Sequence, residues 1–284
     1  MSIVYKALQQ AEMENPGIDV IKGDESFSPE HLQPTTNENL WLENARVVKP
    51  VSSDEKRMVT ITDPESLATE KFRLLRTRLC HLQNGSSLKK VVITSGAPAE
   101  GKTTVAANLA ISLARHTSQK ILLLEGDLRH PAVAFKLGLE SLPGLRDWFE
   151  GQEPLTQFIY QLDGHQLWLL PAGEPAGDAL RILQSERFGD AMNRLTDCFD
   201  WIIIDAPPLA PLADIHFWVQ KADGLLLVIR DGVAQKETLL RGLAGLDTAK
   251  LLGVVHNDTL SAGRNYYQGY ERPQEEEERG NHKG

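Results

Sequence analysis

Apolar residues along the chain fall into short unbroken runs separated by segments with helical spacing. The runs predict buried strands at residues 91–94, 120–124, 167–170, 201–204, 224–229 and 251–255. Helical spacing occupies residues 62–82, the stretch that begins at 105, and residues 143–151, 155–161, 179–199 and 234–246. Strands that alternate with helices in this way predict an α/β fold with a doubly wound, mostly parallel sheet.

The first long helix is predicted to start at residues 62–65, Thr-Asp-Pro-Glu, because proline and an acid favour the first turn. Its inward face would consist of Leu67, Phe72, Leu75, Leu79 and Leu82. Beside that face runs a charged stripe of three residues spaced three apart, Glu70, Arg73 and Arg76. Spacing alone favours a solvated face with weak pairs for this stripe.

Composition divides the chain into three parts. Residues 1–60 hold a short amphipathic segment, residues 1–14, and a linker predicted to be flexible from 15 to about 56. The segment 1–14 is either a docking helix for a partner or a frayed terminus, and both interpretations stay open. Residues 61–257 would form the α/β domain. Residues 258–284 would be a flexible tail, which contains three of the five tyrosines, Tyr266, Tyr267 and Tyr270.

A phosphate-binding loop is predicted at residues 96–103, which match G-x-x-x-x-G-K-[ST] between a strand and a helix. Glycines let backbone N–H groups wrap a phosphate, and a helix start favours an anion. Lys102 would contact the β- and γ-phosphates and Thr103 would ligate Mg²⁺. ATP and Mg²⁺ are therefore the predicted cofactors. The candidate binding residues are Gly96, Ala97, Pro98, Ala99, Glu100, Gly101, Lys102, Thr103 and Thr104.

Acidic residues follow two of the predicted strands. Glu125 and Asp127 end the second strand at alternate positions, which places them on one side of an extended chain. Asp205 ends the strand 201–204. Ligands of open parallel sheets bind outside the carboxyl ends of the strands, so these acids are candidate metal or catalytic groups.

Charge and cysteine content restrict the function. The net charge of −9 argues against nucleic acid as a main partner. Cys80 and Cys198 have no metal or redox spacing, as expected in a reducing cytosol. The sequence predicts no transmembrane helix and no signal peptide, so a membrane role would need another component to hold the chain there.

Taken together, these motifs resemble those of the bacterial tyrosine kinases (BY-kinases) of polysaccharide synthesis and export, P-loop proteins unrelated to eukaryotic protein kinases. The resemblance spans roughly residues 63–270. It rests on five motifs in order: the E-x-x-R-x-x-R helix, the phosphate loop, ILLLEGDLRHP, WIIIDAPP and the tyrosine cluster. The start, MSIVYKALQQAE, is similar to that of cytoplasmic autokinases encoded with exosortase and exopolysaccharide systems.

The resemblance implies an ATP-dependent autokinase that regulates exopolysaccharide or capsule synthesis and phosphorylates its tail tyrosines in trans. The implied catalytic residues are Lys102, Glu125, Asp127 and Asp205, with Thr103, Asp127 and Asp205 at the metal. Asn257 resembles the family position that reads the adenine edge. The motif Glu70, Arg73 and Arg76 would assemble subunits into a ring, which replaces the solvated-face interpretation.

Implied partners are further copies of the chain, a transmembrane chain-length or co-polymerase adaptor and a tyrosine phosphatase. The implied location is the cytoplasm, with recruitment by the adaptor to the inner face of the plasma membrane.

Two departures from the family pattern matter. Glu125 replaces an aspartate, which leaves open whether it is a base or part of the metal shell, and GEPAGDALRILQS lacks the usual Asn-Pro.

The alternative function is a non-kinase ATPase switch of the partitioning or division-site type. Those proteins carry a lysine where this chain has Ala97. A third interpretation, a nucleotide-bound scaffold, rests only on Glu125.

Overall fold

The computed structural model describes residues 40–51, 57–116, 118–209, 213–234 and 236–257. The segment 1–14, most of the predicted linker and the tyrosine tail lie outside these ranges. Among the described helices, none combines the length and the apolar character that crossing a bilayer requires.

One sheet of eight strands organises the described residues. The strands are β1 (Arg46–Val48), β2 (Lys90–Ser95), β3 (Ile121–Glu125), β4 (Tyr160–Leu162), β5 (Leu167–Leu170), β6 (Trp201–Asp205), β7 (Gly224–Arg230) and β8 (Leu251–Asn257). Their order is β1-β4-β5-β3-β6-β2-β7-β8. Every neighbouring pair is parallel except β4 with β5. The predicted doubly wound, mostly parallel α/β fold is therefore confirmed.

Helices cover both faces of this sheet. They are α1 (Leu40–Glu43), α2 (Val59–Thr62), α3 (Leu67–Gln83), α4 (Lys102–His116), α5 (Val133–Lys136), α6 (Leu145–Glu150), α7 (Ala179–Leu183), α8 (Glu186–Cys198), α9 (Asp214–Lys221) and α10 (Lys236–Ala244). Short 3-10 turns occupy Leu155–Phe158 and Thr248–Lys250.

The core has two halves because successive strand residues point to opposite faces of the sheet. Leu122 and Leu124 of β3 pack in the half that contains Trp148, Phe188 and Trp218. Ile121 and Leu123 of the same strand pack in the other half, with the side chains of α4. Burial on both faces explains why the central strands are unbroken apolar runs rather than alternating ones.

Helix α3 begins later than predicted. Ser66 caps it, accepting a hydrogen bond from the Thr69 N–H at 3.2 Å, and Thr62 belongs to the separate short helix α2. Of the predicted inward face only Leu79 is fully buried, whereas Leu67 is 41% and Leu82 45% exposed. Leu67 lies about a third of a turn around the helix from Leu79, because each residue advances by about 100°.

Residues 179–199 form two helices instead of the single one predicted. The break occurs at Ser185, whose side chain accepts a hydrogen bond from the Phe188 N–H at 3.1 Å and so starts α8. The helical segment predicted at 155–161 is a 3-10 turn followed by strand β4. Helix α9 was not predicted at all.

The end of the predicted linker, residues 40–51, is part of the domain. Strand β1 pairs with β4, and Trp168 Nε1 donates a hydrogen bond to the Leu42 carbonyl at 3.4 Å. Trp41 packs edge-on against Phe199, with ring centroids 6.2 Å apart. These contacts join residues more than a hundred positions apart, so local composition did not reveal them.

A buried asparagine on α4, the helix that follows the phosphate loop, binds the segment that precedes α3. Asn108, in the middle of α4, accepts hydrogen bonds from the Thr60 N–H at 3.0 Å and the Thr60 hydroxyl at 2.8 Å. Its Nδ2 donates to the Thr104 carbonyl at 2.8 Å and the Arg57 carbonyl at 3.1 Å. Residues 57–60 are thereby tied to the element that begins at Lys102.

We expect Asn108→Ala to lower the free energy of unfolding by about 1–3 kcal/mol, because the buried Thr60 N–H would lose its acceptor. Urea unfolding measures the change. The matched control is Asn193→Ala, an exposed asparagine on α8, which should be nearly neutral because alanine favours helix. Equal stability of Asn108→Ala and wild type would contradict this account of the contact.

Candidate active site

The ends of three adjacent strands bring the predicted site together. In the register of the sheet, Asp205 of β6 stands opposite Ile93 of β2 on one side and Glu125 of β3 on the other. The phosphate loop leaves β2, and the segment that carries Asp127 leaves β3. The phosphate loop and the acids thus lie at the same edge of the sheet, as predicted. The side chains of the acids differ in what they contact.

The phosphate loop adopts two left-handed backbone conformations. Ala99 has φ of +66° and Gly101 has φ of +95°. A Cβ atom at Gly101 would lie 2.1 Å from Asn257 Nδ2, so this position needs glycine for space as well as for conformation. The loop then enters α4 at Lys102, three residues before the predicted helix start.

Glu100, a residue of the phosphate loop, stabilises the loop through hydrogen bonds. Its carboxylate accepts hydrogen bonds from the Ala97 N–H at 2.8 Å and from the Arg230 N–H, at the end of β7, at 3.2 Å. Its carbonyl accepts one from Asn257 Nδ2 at 2.8 Å, at the end of β8. Glu100 and Asn257 therefore connect the loop to the two strands on the side away from Asp205.

The Lys102 ammonium lies between two acids. Its Nζ is 2.9 Å from Asp127 Oδ2, 3.3 Å from Asp205 Oδ1 and 3.4 Å from the Thr103 hydroxyl. Burial disfavours the charged amine, but the attraction of Asp205 and Asp127 exceeds that effect and raises the pKa of Lys102. Lys102 is therefore a permanent positive charge at this edge of the sheet.

Asp205 has the features expected of a metal ligand. It is fully buried, and its Oδ2 has no hydrogen-bond partner among the described residues. Burial raises the pKa of Asp205, while the Lys102 ammonium opposes that shift. An unpartnered buried carboxylate oxygen near a hydroxyl and a second carboxylate suits Mg²⁺, a hard cation that prefers oxygen ligands.

The ligand set for Mg²⁺ is small. Among the described residues, no three or more His, Cys, Asp or Glu side chains stand together as a metal site. Nucleotide-bound Mg²⁺ takes only one or two carboxylates and completes its shell with phosphate oxygens and water. Thr103, Asp127 and Asp205 fit that requirement.

Glu125 has different surroundings from Asp127. Its Oε1 accepts hydrogen bonds from the Ala132 N–H at 2.5 Å and the Val133 N–H at 2.6 Å, and its Oε2 accepts one from the Ala172 N–H at 3.0 Å. Burial raises the pKa of Glu125, and the three N–H donors oppose the shift. Glu125 and Asp127 therefore share no hydrogen-bond partner among the described residues. Strand β3 ends at Glu125, so the alternation that was predicted to reach Asp127 does not extend that far.

Two contacts missed by the sequence analysis hold the segment after β3. The Arg129 Nε donates to the buried Asp214 at 2.6 Å, and Trp218 Nε1 donates to the Gly126 carbonyl at 3.0 Å. Both partners belong to α9. Arg129 itself was a signal for the first contact, since a cation near a strand end needs a counter-charge, but nothing local indicated Asp214.

The predicted oligomerisation stripe lies on α3. Arg73 Nη1 is 3.0 Å from Glu70 Oε2 on the exposed surface. Arg76 instead donates to the Ser112 carbonyl of α4 at 3.3 Å. Tyr266, Tyr267 and Tyr270 lie outside the described residues.

Similar proteins are bacterial tyrosine kinases. The chain is 32% identical over 205 residues to tyrosine-protein kinase YwqD of Bacillus subtilis, covering 72% of this chain and 86% of that protein. It is 35% identical over 178 residues to tyrosine-protein kinase CpsD of Streptococcus pneumoniae serotype 4, covering 61% and 78%. The solved structure of the chimerical protein CapA2B2 aligns with a TM-score of 0.66 and 25% identity, covering 78% of this chain and 98% of that one. No protein-family profile matches.

We expect Asp205→Asn to remove most of the thermal stabilisation that Mg²⁺ adds to the ADP-bound protein, because the amide loses the charge that attracts the cation. Differential scanning fluorimetry with ADP, with and without Mg²⁺, measures the increment. Asp190→Asn, at an exposed position of α8, is the matched control and should keep the wild-type increment. A full increment in Asp205→Asn would contradict the assignment of this ligand.

Proposed function

Since this chain belongs to the family of bacterial tyrosine-protein kinases, we propose that it transfers the γ-phosphoryl group of ATP to tyrosine side chains. The observation that carries the proposal is the position of the Lys102 ammonium, 2.9 Å from Asp127 and 3.3 Å from Asp205 beside the phosphate loop. A buried cation at a helix start, flanked by oxygen ligands, is the arrangement that phosphoryl transfer requires.

The protein's own groups have distinct tasks in this proposal. Backbone N–H groups of the loop and of the first turn of α4 bind the phosphates, and Lys102 neutralises charge on the transferring group. Thr103, Asp127 and Asp205 hold Mg²⁺, which when bound supplies further charge neutralisation at the phosphate oxygens. Asn257 contacts the loop through its hydrogen bond to the Glu100 carbonyl. We propose that Asn257 recognises the edge of the adenine base.

The proposed acceptors are Tyr266, Tyr267 and Tyr270. Strand β8 ends at Asn257, on the sheet edge that carries the phosphate loop, and Tyr266 follows nine residues later. An extended segment of that length reaches about 30 Å, which is enough to enter the site of a neighbouring subunit. Glu70, Arg73 and Arg76 are proposed to hold such neighbours side by side in a ring, so that phosphorylation occurs in trans.

Phosphorylation would then dismantle the ring. Each phosphotyrosine adds roughly −1.5 to −2 charge, close to the acidic run Glu275, Glu276, Glu277 and Glu278. Repulsion from Asp127 and Asp205 would expel such a tail from the site. A tyrosine phosphatase would remove the phosphates and allow the ring to form again. We propose that this cycle controls exopolysaccharide or capsule synthesis.

The proposed site of action is the inner face of the plasma membrane. A transmembrane adaptor of the co-polymerase type would recruit the cytoplasmic chain, with residues 1–14 or a surface beside the nucleotide as the contact. Autophosphorylation of the purified chain should therefore increase when membranes containing the adaptor are added.

A second candidate is an ATPase switch that does not phosphorylate tyrosine. Ala97 disfavours it, because partitioning and division-site ATPases carry a lysine at this position. The two candidates differ in product, since the switch releases inorganic phosphate and leaves the mass of the chain unchanged.

We expect Lys102→Met to abolish tyrosine phosphorylation while the fold survives, because the lysine acts as a charge at the phosphates. Intact-mass analysis after incubation with ATP and Mg²⁺ measures phosphorylation, and circular dichroism checks the fold. Lys221→Met, an exposed lysine of α9, is the matched control and should be phosphorylated like wild type. A fully phosphorylated Lys102→Met protein would remove the kinase assignment.

We expect the double variant Arg73→Ala with Arg76→Ala to be monomeric and Lys102→Met to be the largest species, with phosphorylated wild type smaller than Lys102→Met. The reason is that the arginines join subunits and that only phosphorylation separates them. Light scattering measures the masses. A single mass for all three samples would contradict the ring, and phosphorylation would then have to occur in cis or in brief encounters.

A further inference from the structure

The carboxylate of Glu125 is occupied mainly by hydrogen bonds from the protein's own backbone. Three N–H groups donate to it, those of Ala132, Val133 and Ala172, and the residue is 1% exposed. An ionised carboxylate offers about four acceptor positions, so at most about one remains. A general base needs an oxygen within hydrogen-bond reach of the substrate proton.

These bonds close a loop that carries functional residues. We call residues 126–131 the acidic loop, which leaves β3 at Glu125 and returns at Ala132. The Glu125 Oε1 binds the N–H groups of Ala132 and Val133, so the two ends of the acidic loop meet at one oxygen atom. Asp127, which pairs with Lys102 at 2.9 Å, lies within this closed loop.

The other oxygen of Glu125 connects the acidic loop to a different part of the chain. Ala172 follows the end of β5, and its N–H donates to Oε2 at 3.0 Å. One side chain thus joins the ends of two neighbouring strands, β3 and β5, to the start of α5. Arg129 with Asp214 and Trp218 with Gly126 hold the acidic loop from the side of α9.

Building on the proposed kinase function, we propose that Glu125 is a positioning residue and not the catalytic base. It closes the acidic loop and so holds Asp127 against Lys102. The glutamate in place of the family's aspartate suits this task, because its side chain is longer by one C–C bond, about 1.5 Å. The extra reach lets one carboxylate bind the loop end and Ala172 together.

Hydrogen–deuterium exchange tests the three bonds directly and needs no kinase activity. In Glu125→Gln the amide offers one acceptor oxygen and one NH₂ group, so at least one backbone N–H faces a donor and loses its acceptor. We expect peptides covering residues 126–137 or 171–177 to exchange about tenfold faster or more, with other peptides unchanged. Glu140→Gln, an exposed glutamate, should exchange like wild type.

Glu125→Asp provides a second variant that keeps the charge and a potential base. The positioning role predicts faster exchange in the same peptides and a higher Mg²⁺ concentration for half-maximal phosphorylation, since Asp127 is displaced. Added Mg²⁺ should recover much of the rate in Glu125→Asp and in Glu125→Gln. A base would give a different pattern, because Mg²⁺ cannot restore a missing proton acceptor.

Unchanged exchange at residues 126–137 and 171–177 in both variants would overturn the inference. A second result would also overturn it: a phosphorylation rate that falls about 10²-fold in Glu125→Gln, stays low at every Mg²⁺ concentration and returns to the wild-type value in Glu125→Asp. If wild type itself shows no tyrosine phosphorylation, the proposed function fails, whereas the exchange result still decides whether Glu125 closes the acidic loop.

Discussion

The arrangement of charged groups at the site depends on one buried cation held between two acids. The Lys102 ammonium lies 2.9 Å from Asp127 and 3.3 Å from Asp205, and all three side chains are largely removed from solvent. Such a group is costly to bury unless its counter-charges are in place, because removing one partner leaves an uncompensated charge. The order of the sheet supplies the counter-charges, since β2, β6 and β3 are direct neighbours and end at the same edge.

Acidic side chains that accept backbone N–H groups fix the segments around this cation. Glu100 fastens the phosphate loop to the end of β7, and Glu125 closes the acidic loop. At the opposite ends of the strands, Asp223 accepts from the N–H groups of Lys89 and Lys90, and Asp200 accepts from that of Lys120. Part of the chain's negative charge therefore serves to position loops, since a charged acceptor strengthens each bond.

The sequence predicted the features that are local. The motif at residues 96–103 needs only a strand, two glycines and a helix, and the six apolar runs each became a strand. Contacts between distant residues escaped prediction. Strand β1 depends on pairing with β4. The break before α8 is a local feature, since Ser185 caps the helix, but the prediction followed the apolar spacing and passed over this cap signal. The alternation of β3 was extended two residues too far, to Asp127, although the strand ends at Glu125. The backbone partners of Glu125 arise from turns that periodicity does not describe.

Mixing two forms of the chain tests the central claim, that Lys102 and its acids form a phosphoryl-transfer site acting on tyrosines of neighbouring subunits. A Lys102→Met chain made distinguishable by isotope labelling is incubated with unlabelled wild type, ATP and Mg²⁺, and phosphotyrosine is mapped by mass spectrometry. The account predicts phosphate on Tyr266, Tyr267 and Tyr270 of the labelled, inactive chain. Phosphate confined to wild type would contradict transfer between subunits, and phosphate on neither chain would contradict the kinase itself.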